Sequence, residues 1–163
     1  MASKTDFTAE EWKKLLGSPL LAGFAISAGD PSGFVGTLQE GLANAKALAE
    51  AKARGGGDLI GQVADDLLTP EGRANAREGV KALIQGAQLS EIKGRALGEL
   101  ASVAAILDAK APGEAPAFKA WLANIAKLVA EAGTEGGFLG FGGVKVSDTE
   151  KATLEEISKS LRA

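Results

Sequence analysis

Apolar residues in this chain recur at intervals of three and four positions. The clearest run has steps of four, four, three and four and comprises Ile92, Ala96, Leu100, Val103 and Leu107. An α-helix has 3.6 residues per turn, so residues at this spacing share one face. No segment shows apolar and polar residues alternating between hairpin turns, the pattern of a half-buried strand. The spacing therefore predicts an all-α fold, a compact multi-helical bundle.

Helix-start signals divide the chain into seven or eight predicted helices. Two pairs, Thr8 with Glu11 and Ser147 with Glu150, have the spacing of a capping box, and Phe7 is placed to pack on Trp12. Proline suits the first turn of a helix, where its missing N–H is not needed. The prolines expected to begin helices are Pro19, Pro31, Pro70 and Pro116.

Pro19 predicts a break between the first two helices. Because its ring disfavours helical backbone in the preceding residue, the first helix is predicted to end near Gly17, and the second to begin at Ser18 and Pro19. The helix that begins at Pro70 is expected to reach about Gln85. Its second half, with Val80, Leu83 and Ile84, is expected to be the deeply buried part.

Three further helix boundaries follow from single residues. Asp58, after three glycines, is expected to cap a short helix. Ser90 is expected to be the N-cap of the long helix that contains Leu100. Gly133 is expected to be the C-cap of the helix that begins at Pro116. A length of 163 residues suits one core, so residues 1–163 are predicted to form a single domain.

The missing residue types exclude several mechanisms. The chain has no histidine, cysteine or tyrosine. It therefore cannot form a Ser-His-Asp triad, use a thiolate nucleophile or bind zinc through sulfur or imidazole. We predict that the protein is not an enzyme and that it needs no cofactor.

Charge and hydropathy limit the partners. A net charge of −3 argues against nucleic acid, whose binding depends on clustered Lys and Arg. The uncharged stretch from Leu15 to Gly29 is too short to cross a bilayer, which takes about 20 apolar residues. Met1 to Glu11 lacks the pattern of a signal peptide. These features predict a cytoplasmic protein that binds neither nucleic acid nor membrane.

The segment from Gly136 to Gly143 is the strongest candidate for a binding element. Five glycines surround three apolar residues, Phe138, Leu139 and Phe141, and Gly137 and Gly140 allow close backbone approach. In one interpretation the segment is a surface loop that contacts a partner or covers a ligand. In the other, which we favour, its aromatic rings pack into the bundle, because three exposed apolar side chains would form a costly patch.

Other polar groupings are weaker candidates. Ser90 and Lys93 match the S-x-x-K spelling of serine acyl-enzymes, but the companion motifs are missing. Carboxylates that could converge on a divalent cation are Asp58, Asp65, Asp66 and Glu71, and cations on one predicted helix face that could bind an anion are Arg73, Arg77 and Lys81. For the carboxylates and the cations a solvated surface is the favoured interpretation. For Ser90 the favoured interpretation is a simple helix N-cap.

Three segments carry a resemblance to known proteins. Residues 131–161 (EAGTEGGFLGFGGVKVSDTEKATLEEISKSL), 8–16 (TAEEWKKLL) and 25–33 (AISAGDPSG) resemble small uncharacterised all-helical proteins of bacteria. The V-S-x-x-E motif and the following L-x-x-I helix are similar to the tellurite-resistance TerB-like fold. That resemblance implies a role in metal sensing or stress response, with Asp30, Asp148 and Glu150 as candidate metal ligands.

Three functions remain open on these grounds. The first is a non-enzymatic domain that binds a protein partner or a second copy of itself in a stress response, with Phe138, Leu139 and Phe141 as the contact. The second is a bundle that binds a small apolar ligand between its helices, with the segment from Gly136 to Gly143 as lid. The third is an acidic metal-binding protein of the TerB-like kind.

Overall fold

The computed structural model describes residues 1–29, 57–134 and 146–162. Within these ranges the chain forms a 3-10 helix, Lys4–Asp6, and six α-helices, and it forms no strand. The α-helices are α1 (Ala9–Gly29), α2 (Leu59–Leu68), α3 (Pro70–Ile84), α4 (Leu89–Lys110), α5 (Ala115–Thr134) and α6 (Asp148–Arg162). The all-α prediction is confirmed. Six is fewer than the seven or eight helices predicted, and the helix predicted to begin at Pro31 lies outside the described residues.

The bundle is built around α1. This helix packs most closely on α4, α3 and α5 and also contacts α6 and α2. All five residues from Leu15 to Pro19 are buried, which takes more than one full turn of helix out of water on every side. A helix that is apolar all round belongs in the interior of a bundle. From Leu15 onward the sequence of α1 is of this kind, and the other helices pack around this part, whereas the first turns of α1 carry charged residues.

The predicted break at Pro19 is wrong. Residues Ala9–Gly29 form one helix with Pro19 inside it. Proline has no N–H to donate to the carbonyl four residues earlier, that of Leu15. The hydroxyl of Ser18 donates to this Leu15 oxygen instead, at 2.8 Å, within the core. The carbonyl left without its helical partner is thus satisfied, and two predicted helices are one.

Several predicted helix starts are confirmed. Thr8 N–H donates to Glu11 Oε2 at 2.7 Å, and Glu11 N–H donates to Thr8 Oγ1 at 3.2 Å. The Ser147 and Glu150 pair repeats this capping box at the start of α6. Asp58 caps α2 by accepting from Gly61 N–H. The rings of Phe7 and Trp12 lie 5.8 Å apart, as the predicted staple requires.

Two predicted boundaries need correction. The N-cap of α4 is Gln88, whose N–H donates to the Glu91 carboxylate at 2.9 Å, whereas Ser90 lies inside the helix. Glu91 is the acid three residues after Gln88, and this local pair sets the start. Gly133 is not a C-cap, because α5 continues to Thr134.

The core is one cluster of apolar side chains to which all six α-helices contribute. The predicted stripe on α4 is confirmed from its second residue onward: Ala96, Leu100, Val103 and Leu107 are all fully buried, whereas Ile92 is half-buried. On α5, the rings of Phe118 and Trp121 are nearly perpendicular, with their centroids 5.2 Å apart. Ile157 and Leu161 anchor α6. At roughly 1.5–3 kcal/mol for each large side chain, burial in this cluster supplies most of the stability.

Candidate binding groove

Helix α3 is the least deeply seated of the helices that the structure describes. Its buried residues are Gly72 and Ala76, in the first half, whereas Val80, Leu83 and Ile84 are only half-buried. The prediction that the second half is the deeply buried part is therefore wrong. Small residues make the close contact, because they let the backbones of neighbouring helices approach, and the larger apolar side chains further along remain partly in solvent.

Helices α1 and α3 come close together at Gly17. A Cβ atom at Gly17 would lie 3.8 Å from the Ala76 carbonyl oxygen and 3.9 Å from Val80 Cγ2. Both are ordinary van der Waals distances, so the glycine leaves just the space of a methyl group. The sequence suggested Gly17 as a helix end. In the structure it lies within α1 and forms part of the floor of a groove.

This groove lies between α1, the second half of α3 and one residue of α4. Its volume is about 320 Å³. The apolar residues and glycines that line it are Gly17, Leu21, Gly79, Val80, Ala82 and Leu83, and the charged residues at its rim are Glu10, Lys13, Lys14, Glu78 and Glu99. An apolar floor with a few polar groups around it is the usual composition of a ligand-binding pocket, and the volume is at the small end for such pockets.

Two ion pairs lie at the rim. Lys14 Nζ lies 3.0 Å from Glu99 and also donates to Ser102 Oγ at 3.2 Å, which joins α1 to α4. Lys13 Nζ lies 3.4 Å from Glu10 on the same helix. Arg95 of α4 donates to the Leu83 carbonyl at 3.1 Å and thereby holds the end of α3. The groove is therefore bounded by helices that side chains tie together.

A second polar cluster lies at the N-terminal end of α1. Asp66 Oδ2 accepts from Trp12 Nε1 at 2.6 Å and from Lys4 Nζ at 2.8 Å. Burial raises the pKa of the Asp66 carboxyl, but the hydrogen bonds from Lys4 and Trp12 outweigh it, so the pKa is lowered overall. The Glu114 carboxylate accepts from Ala2 N–H at 2.6 Å and from Leu59 N–H at 2.8 Å.

These carboxylates have structural partners. Asp66 and Glu114 hold the first residues of the chain against α2 and the start of α5, and Gln62 adds two hydrogen bonds, to Lys4 N–H and to the Ala2 carbonyl. Lys110 and the backbone N–H of Thr8 lower the pKa of Glu11 at the same end. The cluster fastens the N-terminal segment, and Asp66 Oδ2 and both Glu114 carboxylate oxygens are occupied by that task.

The residues predicted for the glycine-rich contact cannot be placed in this geometry. Phe138, Leu139, Phe141, Gly137 and Gly140 all lie outside the described residues. Both interpretations of that segment therefore stay predictions.

The candidate metal ligands have other roles where the structure describes them. Asp30 lies outside the described residues. Glu150 Oε2 accepts from Ser147 N–H at 2.7 Å as a helix cap, and the fully exposed Asp148 lies 3.3 Å from Lys151. Across residues 1–29, 57–134 and 146–162, no group of three or more acidic side chains is close enough together to hold a metal ion.

The remaining polar candidates are dispersed. Asp58 caps α2, Asp66 binds Trp12 and Lys4, and Asp65 and Glu71 are exposed. The carboxylates do not converge. The three cations on α3, Arg73, Arg77 and Lys81, are exposed, in agreement with the favoured interpretation of a solvated face. Lys93 Nζ pairs with Glu156 at 2.8 Å, which ties α4 to α6.

Comparisons of the chain with protein-family models, with curated proteins and with solved structures gave no match. The resemblance to TerB-like proteins therefore depends only on the residues quoted for it. In the part of the chain that the structure describes, no helix combines the length and the apolar character needed to cross a membrane.

Sequence reasoning missed the groove. Its lining includes two glycines inside helices, Gly17 and Gly79. A glycine inside a helical pattern costs about 1 kcal/mol relative to alanine and so suggests a packing or functional reason for its presence. Gly98 carries the same signal but does not line the groove, so this signal alone does not locate the site. The sequence does not show that Gly17 and Gly79 face the same space, because that depends on how α1 and α3 pack.

Proposed function

We propose that this chain is a non-enzymatic binding domain that receives an apolar side chain of a partner protein in the groove between α1 and α3. The observation that carries the proposal is the incomplete burial of α3, which leaves Val80 and Leu83 half-exposed beside a groove of about 320 Å³. Protein interfaces gain most of their affinity from a few apolar or aromatic anchors that fill such recesses. The absence of histidine, cysteine and tyrosine supports a binding role over catalysis.

The size of the groove favours a side chain over a whole helix or a large ligand. Pockets for drug-sized molecules range from about 300 to 1,000 Å³, so this groove accommodates one or two side chains. The rim is charged and the floor apolar, the arrangement of the rim and core of a protein interface. A small apolar ligand is the alternative occupant, and native mass spectrometry of the freshly isolated protein would reveal it as an added mass.

A titration with a small neutral probe tests the proposal. Benzyl alcohol has an aromatic ring that fits the groove and carries no charge. In two-dimensional NMR spectra of the full chain, we expect saturable shifts at the amides of Gly17, Gly79 and Leu83. Failure of these amides to shift up to the solubility limit of the probe would contradict the proposal.

Two matched glycine variants show whether the groove is the site. Gly79 and Gly98 are both exposed helical glycines at which an added Cβ meets nothing within 4 Å, but only Gly79 lines the groove. Gly79→Leu should weaken the binding of benzyl alcohol about tenfold or more, the effect of losing roughly 1.4 kcal/mol. Gly98→Leu should leave it unchanged. Equal effects of the two variants would place the binding elsewhere.

The prediction that Phe138, Leu139 and Phe141 form the contact is a separate one. It concerns residues outside the described ranges and is compatible with a second binding surface. Phe141→Ser tests it. A loss of several kcal/mol in the free energy of unfolding, as for a core aromatic side chain, would support packing and contradict the interaction segment.

A further inference from the structure

Some charged side chains at the rim of the groove have a partner of opposite charge among the described residues, and others do not. Lys14 is engaged by Glu99 at 3.0 Å and by Ser102 at 3.2 Å, so its charge is already neutralised within the rim. Lys13 lies 3.4 Å from Glu10. Each lysine at the rim therefore has a carboxylate partner on the protein itself.

Glu78 is the rim carboxylate that remains. It is exposed, and no cation of the described residues lies within ion-pair distance of it. The side chain of Glu10 is 81% exposed, so its pairing with Lys13 is weak and screened by solvent. The unmatched charge beside the apolar floor is thus negative, although cations are present on the outer face of α3.

We infer that the partner's anchor is an apolar side chain adjacent to a cation, such as a Leu or Phe residue next to Lys or Arg, with the cation paired to Glu78. This inference rests on the proposed function of the groove. A partner that enters the groove removes water from the rim, which is unfavourable for an unpaired carboxylate. An ammonium or guanidinium group restores the lost interaction, whereas a second carboxylate adds repulsion. The long aliphatic arms of Lys and Arg can also lie along apolar surface.

Three probes of similar size and different charge test the inference. Phenethylammonium, benzyl alcohol and phenylacetate share an aromatic ring and carry positive, zero and negative charge. Titrated at neutral pH and low ionic strength into the full chain, and followed at the Gly17, Gly79 and Leu83 amides, the cation should bind about two- to fivefold more tightly than the neutral probe. The anion should bind most weakly.

A matched pair of variants tests whether Glu78 causes the preference for the cationic probe. Glu78→Gln removes the charge at the rim and should abolish the difference between phenethylammonium and benzyl alcohol. Glu71→Gln removes an exposed charge from the same helix outside the groove and should preserve it. Both positions are on the surface of α3, so neither variant should affect folding.

The outcomes separate this inference from the function on which it rests. If benzyl alcohol binds at the groove but phenethylammonium binds no better, or if Glu78→Gln retains the preference, the cationic anchor is overturned and the binding groove stands. If no probe shifts the groove amides, both fail. A stronger response to phenylacetate would also overturn the inference.

Discussion

Pro19 is tolerated within α1 because the residue before it replaces the hydrogen bond that proline removes. The Ser18 hydroxyl donates to the Leu15 carbonyl at 2.8 Å, and Ser18 is fully buried. A buried carbonyl without a donor costs about 1–3 kcal/mol. Ser18 therefore has a specific role in the central helix that its small size and ordinary helix propensity do not suggest.

A double-mutant cycle measures this role. Ser18→Ala should lower the free energy of unfolding by about 1–3 kcal/mol, because the Leu15 carbonyl loses its donor. In a Pro19→Ala background the restored backbone N–H supplies that donor, so the same substitution should cost much less. Urea unfolding of the four proteins gives the coupling energy.

Thr153→Val is the matched control. Thr153 is also fully buried and its hydroxyl donates to the Thr149 carbonyl at 3.0 Å, but that carbonyl lies in α6 and has its regular helical partner as well. We expect only a small change in stability. Equal costs of Ser18→Ala with and without Pro19 would show that the hydroxyl does not compensate for the proline.

The ionisation of Asp66, which contacts the N-terminal end of α1, makes the stability of the fold depend on pH. Burial raises its pKa, and the hydrogen bonds from Lys4 and Trp12 lower it by more, so the folded-state pKa lies below the ordinary value of 3.8. A group of this kind stabilises the fold above its unfolded pKa, and the contribution is lost as the pH falls through the folded pKa. The acid side of about pH 4 is the window in which this happens.

Asp66→Asn tests this dependence. At pH 7 the variant should be less stable by ~1 kcal/mol, a modest value because the Lys4 side chain is exposed and the amide can still accept from Trp12. The difference should shrink below pH 4, where the native carboxyl becomes protonated. Urea unfolding at both pH values measures it. The neighbouring exposed Asp65→Asn is the control, and a constant difference for Asp66→Asn would refute the explanation.

At the scale of elements, the corner between α2 and α3 depends on one glycine. Thr69 caps α3 by accepting from Gly72 N–H at 2.9 Å, and its own hydroxyl donates to the Asp66 carbonyl at 2.7 Å. A Cβ at Gly72 would overlap that Asp66 carbonyl oxygen. The backbones of the two helices are in contact here, so no side chain fits.

Two glycine-to-alanine variants on α3 should have opposite effects. Gly72→Ala should destabilise the protein by about 3 kcal/mol, because backbone must move to admit the methyl group. Gly79→Ala meets nothing within 4 Å and should stabilise it by roughly 0.5–1 kcal/mol through helix propensity. Thermal unfolding followed by circular dichroism compares them. A Gly72→Ala protein as stable as the parent would mean that the corner is less tight than described.

Features that depend on residues close together in the sequence were predicted more accurately than features that depend on how the helices pack. The caps at Thr8, Asp58 and Ser147 were predicted correctly, because each involves residues three positions apart. The break at Pro19 was predicted wrongly, because the rule considers only the local steric preference of the proline ring and neither the burial of this turn nor the Ser18 hydroxyl that donates to the Leu15 carbonyl. The stripe on α3 shows which face is apolar but not how closely the helix approaches α1, so neither its burial nor the groove could be predicted.

At the scale of the whole molecule, the helices differ in how they share the core. Helix α1 contacts every other described α-helix, so we expect the hydrogen bonds in its central turns to open only when the entire bundle unfolds. The last turns of α3 are half-buried and contribute no fully buried side chain. These turns can open without disturbing α1.

Hydrogen exchange distinguishes these two regions. Amides between Leu15 and Ile26 should be among the slowest to exchange, at the free energy of global unfolding, and those from Val80 to Ile84 should exchange faster through local opening. Benzyl alcohol, if it binds in the groove, should slow both sets, because it stabilises the folded state against global unfolding and also holds the last turns of α3 in place. Uniform protection of both regions would contradict a loosely seated α3.

The open space beside Gly79 also makes the groove accessible to chemical labelling. The chain contains no cysteine, so a thiol introduced at Gly79 would be its sole reactive sulfur and could carry a fluorophore at the edge of the groove. The same dye attached through a cysteine at Gly98 would report only on the outer surface. Emission that changes for the first label and not for the second would make occupancy directly visible, and unknown partners could then be screened without a functional assay.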